Sequence, residues 1–192
     1  KDQFNEIERR KLSTMFQGVN LQRDFMVEGK VVKSSIASAL IHANSVFETK
    51  GLAKVQDNIE SIFWPYLENH RIQIQQSGGK GSLLLKKFDQ SYSNLQKYQQ
   101  SFQDLKSSIG DLLSSYGVKI ELKSLQNRGQ LARFLAVLAR KGISSEDINY
   151  LVDSLENLSK TRLYMMSEVI QLNGLFNKIY SHLEEYKRDS NR

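Results

Sequence analysis

The chain has no cysteine and only one proline among its 192 residues. Without cysteine, the sequence excludes disulfides, a thiolate nucleophile and cysteine-ligated metal sites. The scarcity of proline argues against β-sandwiches and disordered linkers and favours long helices, which proline would interrupt. No apolar run approaches the roughly 18 residues that span a membrane, so the sequence predicts a soluble protein of unknown compartment. The chain begins at Lys1 rather than Met, as it would after removal of an N-terminal segment.

The residue patterns of catalytic and metal sites are also missing. The three histidines, His42, His70 and His182, are far apart, and none belongs to a Glu-x-x-His pair of the kind that di-iron bundles use. A glycine-rich turn at 77–82 contains Lys80, but its order of residues is not that of a phosphate-binding loop. The sequence therefore predicts a protein that is not an enzyme. We expect no catalytic residues, no metal, no cofactor and no small-molecule substrate.

A heptad pattern of unusual length runs over residues 144–186. Two sets of positions, each repeating every seven residues, are apolar with the single exception of Arg162. A spacing of three and then four residues places them on one side of an α-helix, and Ser144 followed three residues later by Asp147 is typical of a helix start. The two sets, called the seams below, are Ile148, Leu155, Arg162, Val169, Phe176 and Leu183, and Leu151, Leu158, Met165, Leu172, Ile179 and Tyr186.

Two further long helices are predicted upstream of this one. Residues 82–116 carry a second strong heptad pattern, with Ser82 as the N-terminal cap and Gly117 as the stop. Residues 52–76 carry an apolar pattern that is interrupted by Pro65, and we expect a kink or a break near Phe63. Between the helices predicted over 82–116 and 144–186, the sequence of residues 118–143 predicts a small helical insert, which ends at Gly142.

The predicted fold class is all-α. We expect an elongated antiparallel helical bundle with three long heptad-patterned helices, in which residues 52–192 form the core. Residues 1–51 are predicted as shorter N-terminal helices that pack on this core or form a smaller lobe. One helix covers 1–28, with a break near Gly18 or Gly29, and another covers 31–49 and stops at Gly51.

Two functions fit this sequence. The first is a non-enzymatic protein–protein interaction or scaffolding module, which acts through extended helix surfaces on a protein partner or on a second copy of itself. The second is a basic module that binds an anionic membrane surface or another polyanion, with nucleic acid as the less favoured partner. The net charge of +6 favours anionic partners only weakly, because the bases are scattered along the chain. The residues predicted to contact an anion or lipid are Arg9, Arg10, Lys11, Lys80, Lys86 and Lys87.

Arg162 is the one charged residue in the seams. A charge on an apolar stripe costs stability unless it is paired or reaches solvent, and such residues can determine register or assembly. Its partner could be a glutamate on a facing helix. Alternatively, its methylene groups pack while the guanidinium reaches water. We predict that Arg162 is a register or assembly determinant and that Arg162→Leu raises the melting temperature.

Overall fold

The computed structural model describes residues 25–27, 30–32, 42–43, 47–48, 50–119, 121 and 128–191. The predicted all-α class is confirmed, because the regular structure in these residues is helical apart from one small hairpin. The two longest helices contain 37 and 46 residues. The strands and α-helices are β1 (Phe25–Val27), β2 (Lys30–Val32), α1 (Leu52–Asn58), α2 (Trp64–Gln76), α3 (Gly79–Ser115), α4 (Arg128–Arg140) and α5 (Ser145–Ser190).

The hairpin corrects part of the N-terminal prediction. Helices are predicted over 1–28 and 31–49, but β1 and β2 pair antiparallel, with Phe25 opposite Val32 and Val27 opposite Lys30. The reason is that valine and phenylalanine favour strands. Residues 42–43 and 47–48 are helical, as predicted. The rest of both predicted helices lies outside the described residues.

Contacts between residues divide the chain into two compact units. The first unit comprises Lys1–Val46 and Gln100–Leu163, and the second comprises Phe47–Gln99 and Tyr164–Arg192. The predicted boundary between residues 51 and 52 stays a prediction.

The core of the first unit is formed by α3, α4 and α5. Phe102, Leu105, Leu112, Tyr116 and Val152 are partly buried against it. The seam positions of α5 in this unit contribute four of its buried residues. The buried members are Ile109, Leu113, Val118, Phe134, Leu135, Leu138, Ala139, Ile143, Ile148, Leu151, Leu155 and Leu158.

In the second unit, buried residues come from α1, from α2 with the turn before it, from α3 and from α5. Phe63 stacks on Phe176 with ring centroids 4.0 Å apart. Ser91 of α3 is buried and donates a hydrogen bond to the carboxylate of Glu168. The buried seam residues of α5 in this unit are Met165, Val169, Leu172, Ile179 and Leu183.

A π-helical turn, Ile59–Phe63, joins α1 to α2 beside the only proline. The N–H of Trp64 donates to the carbonyl of Ile59, five residues earlier. Pro65 has no N–H, and its ring crowds the preceding turn, so a regular α-helix is strained at this point. The wider π turn accommodates the ring without ending the helix. The irregularity predicted near Phe63 is therefore a widened turn and not a break.

Helices α3 and α4 end in the same way. Gly117 and Gly142 have φ angles of 70° and 78°, in the left-handed region that favours glycine. After them, the N–H of Val118 donates to Leu113 O at 2.9 Å, and the N–H of Ile143 donates to Leu138 O at 3.3 Å. These are Schellman motifs, and the two glycine stops predicted from the sequence are confirmed.

The start of α3 differs from the prediction. Ser82 is not its N-terminal cap, because the helix begins at Gly79 and the N–H of Ser82 already donates to the Gly78 carbonyl at 3.1 Å. Gly78 has a φ of 109°, which lets the chain turn directly after α2 and start the next helix earlier.

Candidate functional site

Residues 119–145 are rich in basic side chains. This segment contains six lysine or arginine residues and one acidic residue, Glu121, which gives a formal charge of +5, and two acidic residues, Glu146 and Asp147, directly follow it. The bases are Lys119, Lys123, Arg128, Arg133, Arg140 and Lys141. Only Arg140 and Lys141 are adjacent, so a search for runs of bases misses the other four. A charge count over the predicted insert is the signal that finds them.

Helix α4 has one buried face and one exposed face. Its buried residues belong to the core of the first unit, and Leu135 and Leu138 have no exposed surface. The exposed residues recur at positions i, i+4, i+7 and i+8, which places them on one side of the helix. We call them the basic face, and they are Arg133, Val137, Arg140 and Lys141, the last of which directly follows the helix.

Burial of the apolar face limits how α4 can bind a ligand. Phe134, Leu135 and Leu138 cannot turn towards a lipid bilayer without opening the core. Val137 is the only exposed large apolar residue among the described side chains of α4, with 37% of its surface accessible. The groups that the basic face presents to solvent are therefore mainly charges and hydrogen-bond donors.

Hydrogen bonds hold the two ends of the insert next to each other. The backbone N–H of Ser144 donates to the Tyr116 hydroxyl at 3.3 Å, and this hydroxyl donates to the carboxylate of Asp147. The N–H of Asp147 donates to Ser144 Oγ at 3.1 Å, which confirms the predicted cap of α5. Tyr116 thus links the end of α3 to the start of α5 and supports the position of the insert between them.

Arg162 lies in the first unit and contacts an aromatic ring. Its side chain is partly buried, and Cζ lies 5.4 Å from the centroid of the Phe102 ring. This distance is within the range of a cation–π interaction. A single copy of the chain thus supplies an aromatic partner for Arg162, and its predicted role in register or assembly stays a prediction.

The other predicted anion contacts are not part of the basic face. Lys80, Lys86 and Lys87 are exposed on the first turns of α3, in the second unit. Arg9, Arg10 and Lys11 lie outside the described residues. Lys86 lines an open groove of about 350 Å³, together with Gln75 and Gln90.

Arg71 and Asp89 form the main ion pair beside this groove. Two nitrogens of the guanidinium donate to the Asp89 carboxylate at 2.9 and 3.0 Å, and one also donates to Glu68 at 3.0 Å. The hydrogen bond to Asp89 raises the pKa of Arg71 above its ordinary value, although burial acts in the opposite direction. The guanidinium also lies 5.8 Å from the centroid of Trp64, whose ring stacks on Tyr92. These contacts join α2 to α3, so we interpret this cluster as structural.

One histidine and one serine are in contact, but not in a catalytic arrangement. His182 Nε2 lies 2.9 Å from Ser77 Oγ, and Ser77 donates its hydroxyl proton to the carbonyl of Ile74. The serine must therefore accept its second hydrogen bond from the histidine, whereas a nucleophilic serine donates to its base. No group of three or more metal-ligating side chains is found among the residues that the structure describes.

Tyr66 has a buried hydroxyl group in the second unit. Its oxygen has no hydrogen-bond partner among the described residues. Burial raises the pKa of Tyr66 above its ordinary value of 10, and the nearby Glu184 and Tyr180 raise it further.

In the described part of the chain, the apolar content and length of every helix fall short of what a membrane crossing requires. No protein-family model matches the chain, and no curated protein or solved structure shows significant similarity to it.

Proposed function

We propose that this chain is a non-enzymatic interaction module, an antiparallel helical bundle that binds a protein partner through the basic face of α4. The observation that carries the proposal is the exposure of Arg133, Arg140 and Lys141 on one side of a helix whose other side lies in the core. The core fixes the helix, so these charges have a defined position and direction.

Concentrated charge of one sign favours a partner of the opposite sign. Neighbouring bases repel each other, and residues 119–145 contain only one acid to offset six bases. The resulting positive potential accelerates the approach of an anionic partner and disfavours a basic one. Arginine is also enriched in protein–protein interfaces, where its planar guanidinium forms paired hydrogen bonds with carboxylates.

The antiparallel arrangement belongs to the same proposal. Within the second unit, Trp64 stacks on Tyr92 and Arg71 bonds to Asp89, so later residues of α2 meet earlier residues of α3. Within the same unit, Tyr98 of α3 lies beside Tyr164 of α5. Ser91 lies seven residues before Tyr98 in α3. It donates a hydrogen bond to Glu168, which lies after Tyr164 in α5. This order of contacts supports the predicted up, down and up course of the three segments.

The second candidate function, binding to an anionic membrane surface or another polyanion, would use the same charges. Each base near an anionic membrane contributes about 1 kcal/mol. The three bases of the basic face would contribute about 3 kcal/mol in total and have no apolar side to insert, which gives weak binding. A protein partner is favoured because it can also pair each guanidinium with a carboxylate.

A comparison of two variants tests the proposed function. One variant neutralises the basic face with Arg133→Gln, Arg140→Gln and Lys141→Gln. The matched control neutralises the same number of exposed charges on α3 with Lys80→Gln, Lys86→Gln and Lys87→Gln. Each protein is immobilised and then incubated with an extract of the source cells. The proteins that bind to it are quantified by mass spectrometry.

We expect the α4 variant to lose specific partners that the wild-type protein and the α3 variant both retain. Equal binding profiles for all three proteins would contradict the proposal. A loss confined to the α3 variant would also contradict it and would assign binding to the second unit. Because all six residues are exposed, we expect all three melting temperatures to agree within a few degrees.

A further inference from the structure

The middle of α3 has no fully buried side chain. Leu95 and Ile109 are each 1% exposed, but no residue from 96 to 108 is buried. Helix α3 passes from the second unit to the first between Gln99 and Gln100, within this segment. Packing therefore anchors the two ends of α3 more firmly than its middle.

The apolar side chains of this segment make contacts that leave them partly exposed. Tyr98 lies beside Tyr164 of α5 with ring centroids 5.3 Å apart, and Tyr164 is itself 39% exposed. Phe102, whose ring faces Arg162, and Leu105 are only partly buried against the core of the first unit. Because the hydrophobic contribution scales with the apolar area removed from water, these contacts stabilise the helix less than full burial would.

Local sequence does little to compensate for this partial burial. An isolated helix shorter than about 12–15 residues is marginal in water, because most helical stability in proteins comes from packing. Ser101, Ser107 and Ser108 are also weaker helix formers than alanine, since their hydroxyl groups compete for backbone hydrogen bonds. The helical state of residues 96–108 therefore depends on the anchored ends of α3.

The segment of α5 that carries Arg162 and Tyr164 is packed in a different way. Several of its side chains are buried, on more than one side of the helix. They are Leu158, Ser159, Thr161, Met165 and Met166. Residues 158–166 of α5 are therefore held by tertiary packing where residues 96–108 of α3 are not.

We infer that residues 96–108 of α3 are a conformational device that opens locally, with loss of their helical hydrogen bonds, while both cores and α5 stay folded. Opening releases Phe102 from Arg162 and Tyr98 from Tyr164. The chain then samples a partly unfolded form far more often than it unfolds globally. This inference does not depend on the proposed function, because none of these residues belongs to the basic face.

Hydrogen–deuterium exchange of the full chain, read by mass spectrometry, tests the inference. Exchange is compared in residues 84–95, 96–108 and 158–166, after correction for the intrinsic rate of each amide. We expect residues 96–108 to exchange at least about 100-fold faster than the other two segments, because their amides exchange through local opening and the others through global unfolding.

Two matched variants separate local opening from global unfolding. One carries Ser101→Ala and Ser107→Ala in the middle of α3, and the control carries Ser167→Ala and Ser181→Ala in α5; all four serines are exposed. We expect the α3 variant to slow the exchange of residues 96–108 about fivefold, because alanine favours the helix that opens. The control should leave this exchange within about twofold of wild type, because Ser167 and Ser181 stay helical during local opening.

Two results would overturn the inference. One is exchange of residues 96–108 at the same rate as residues 158–166 in the wild-type protein, which would show that α3 is held along its whole length. The other is equal slowing of residues 96–108 by the two variants, which would show that this segment exchanges only when the whole chain unfolds.

Discussion

At the scale of single residues, Tyr66 combines a buried hydroxyl with a nearby carboxylate. Its oxygen has no hydrogen-bond partner among the described groups, and Glu184 is close enough to raise the pKa of the phenol further. An unpaired buried hydroxyl costs free energy, and a phenolate in the same place would cost more. We therefore expect Tyr66 to affect the stability of the protein and its pH dependence.

We predict that Tyr66→Phe raises the free energy of unfolding by up to about 1 kcal/mol at neutral pH, because it removes the unpaired hydroxyl. In the wild-type protein, the pKa of Tyr66 is higher in the folded chain than in the unfolded chain, whose value is 10. The unfolded chain therefore loses this proton first, and stability falls as the pH rises above 10. The variant should show a smaller alkaline decline.

Denaturant unfolding at neutral and alkaline pH checks this prediction. Tyr150→Phe is the control, because Tyr150 is 48% exposed. A Tyr66→Phe variant that loses more than about 1 kcal/mol at neutral pH would show that the hydroxyl has a partner, such as an ordered water.

Arg162 gives a second prediction at this scale. Arg162→Leu should raise the free energy of unfolding by about 1 kcal/mol, because leucine suits an apolar seam without the cost of desolvating a charge. Thermal unfolding provides the measurement. A lower melting temperature would mean that the contact with Phe102 outweighs this cost. If Arg162 also determines assembly, the variant should differ from the wild-type protein in its oligomeric mass in solution.

At the scale of secondary-structure elements, two glycines of α3 differ in what surrounds them. A Cβ atom on Gly81 would overlap the carbonyl oxygen of Ile74 and the hydroxyl of Ser77, because α2 ends against the first turns of α3. A Cβ atom on Gly110, in the same helix, would meet nothing within 4 Å. The same substitution should therefore have opposite effects at the two positions.

We predict that Gly81→Ala lowers the free energy of unfolding by about 2 kcal/mol or more, since the backbone carbonyl of Ile74 has to move. Gly110→Ala should raise it by about 1 kcal/mol, the usual difference between glycine and alanine inside a helix. Chemical denaturation of both variants measures these effects. Equal stability of the Gly81→Ala and Gly110→Ala variants would contradict the close approach of the end of α2 to the first turns of α3.

Helix positions could be predicted from the sequence where local chemistry determines them. Heptad spacing, the Ser144 cap, and glycines 117 and 142 predict α3, α4 and α5 to within a few residues. The hairpin at 25–32 was not predictable in the same way, because its apolar residues also fit a helical spacing and pairing between strands decides the outcome. The π turn shows that proline can be accommodated within a helix by a wider turn.

The basic face could be predicted only in part. Its bases are visible in the sequence, and a charge count over 119–145 separates this segment from the rest of the chain. Which side of α4 is covered depends on packing against α3 and α5, and this requires the tertiary structure. The same packing shows that Phe134 and Leu135 are not available for binding.

At the scale of the whole molecule, the seams of α5 are covered within one chain. Leu151, Leu155 and Leu158 are buried in the first unit, and Leu172 and Ile179 are buried in the second. No second copy is needed to remove these side chains from water. This arrangement favours a monomer over self-association through the seams.

We predict a monomer of 22.1 kDa by sedimentation equilibrium at micromolar concentrations. An exposed apolar seam would drive dimerisation. The large apolar residues that are exposed in the described part of the chain, such as Ile72 and Ile170, lie on different helices instead. A mass near twice this value that does not depend on salt would contradict the prediction, because an apolar interface is insensitive to charge screening.

The most direct test of the central claim is covalent lysine footprinting of the protein bound to its captured partner. Amine-reactive reagent is added to the free protein and to the complex, and the modified lysines are quantified by mass spectrometry. Binding through the basic face predicts strong protection of Lys141, with unchanged labelling of Lys80, Lys86 and Lys87, which lie on α3. Protection of the α3 lysines with full labelling of Lys141 would contradict the claim that α4 presents the binding surface.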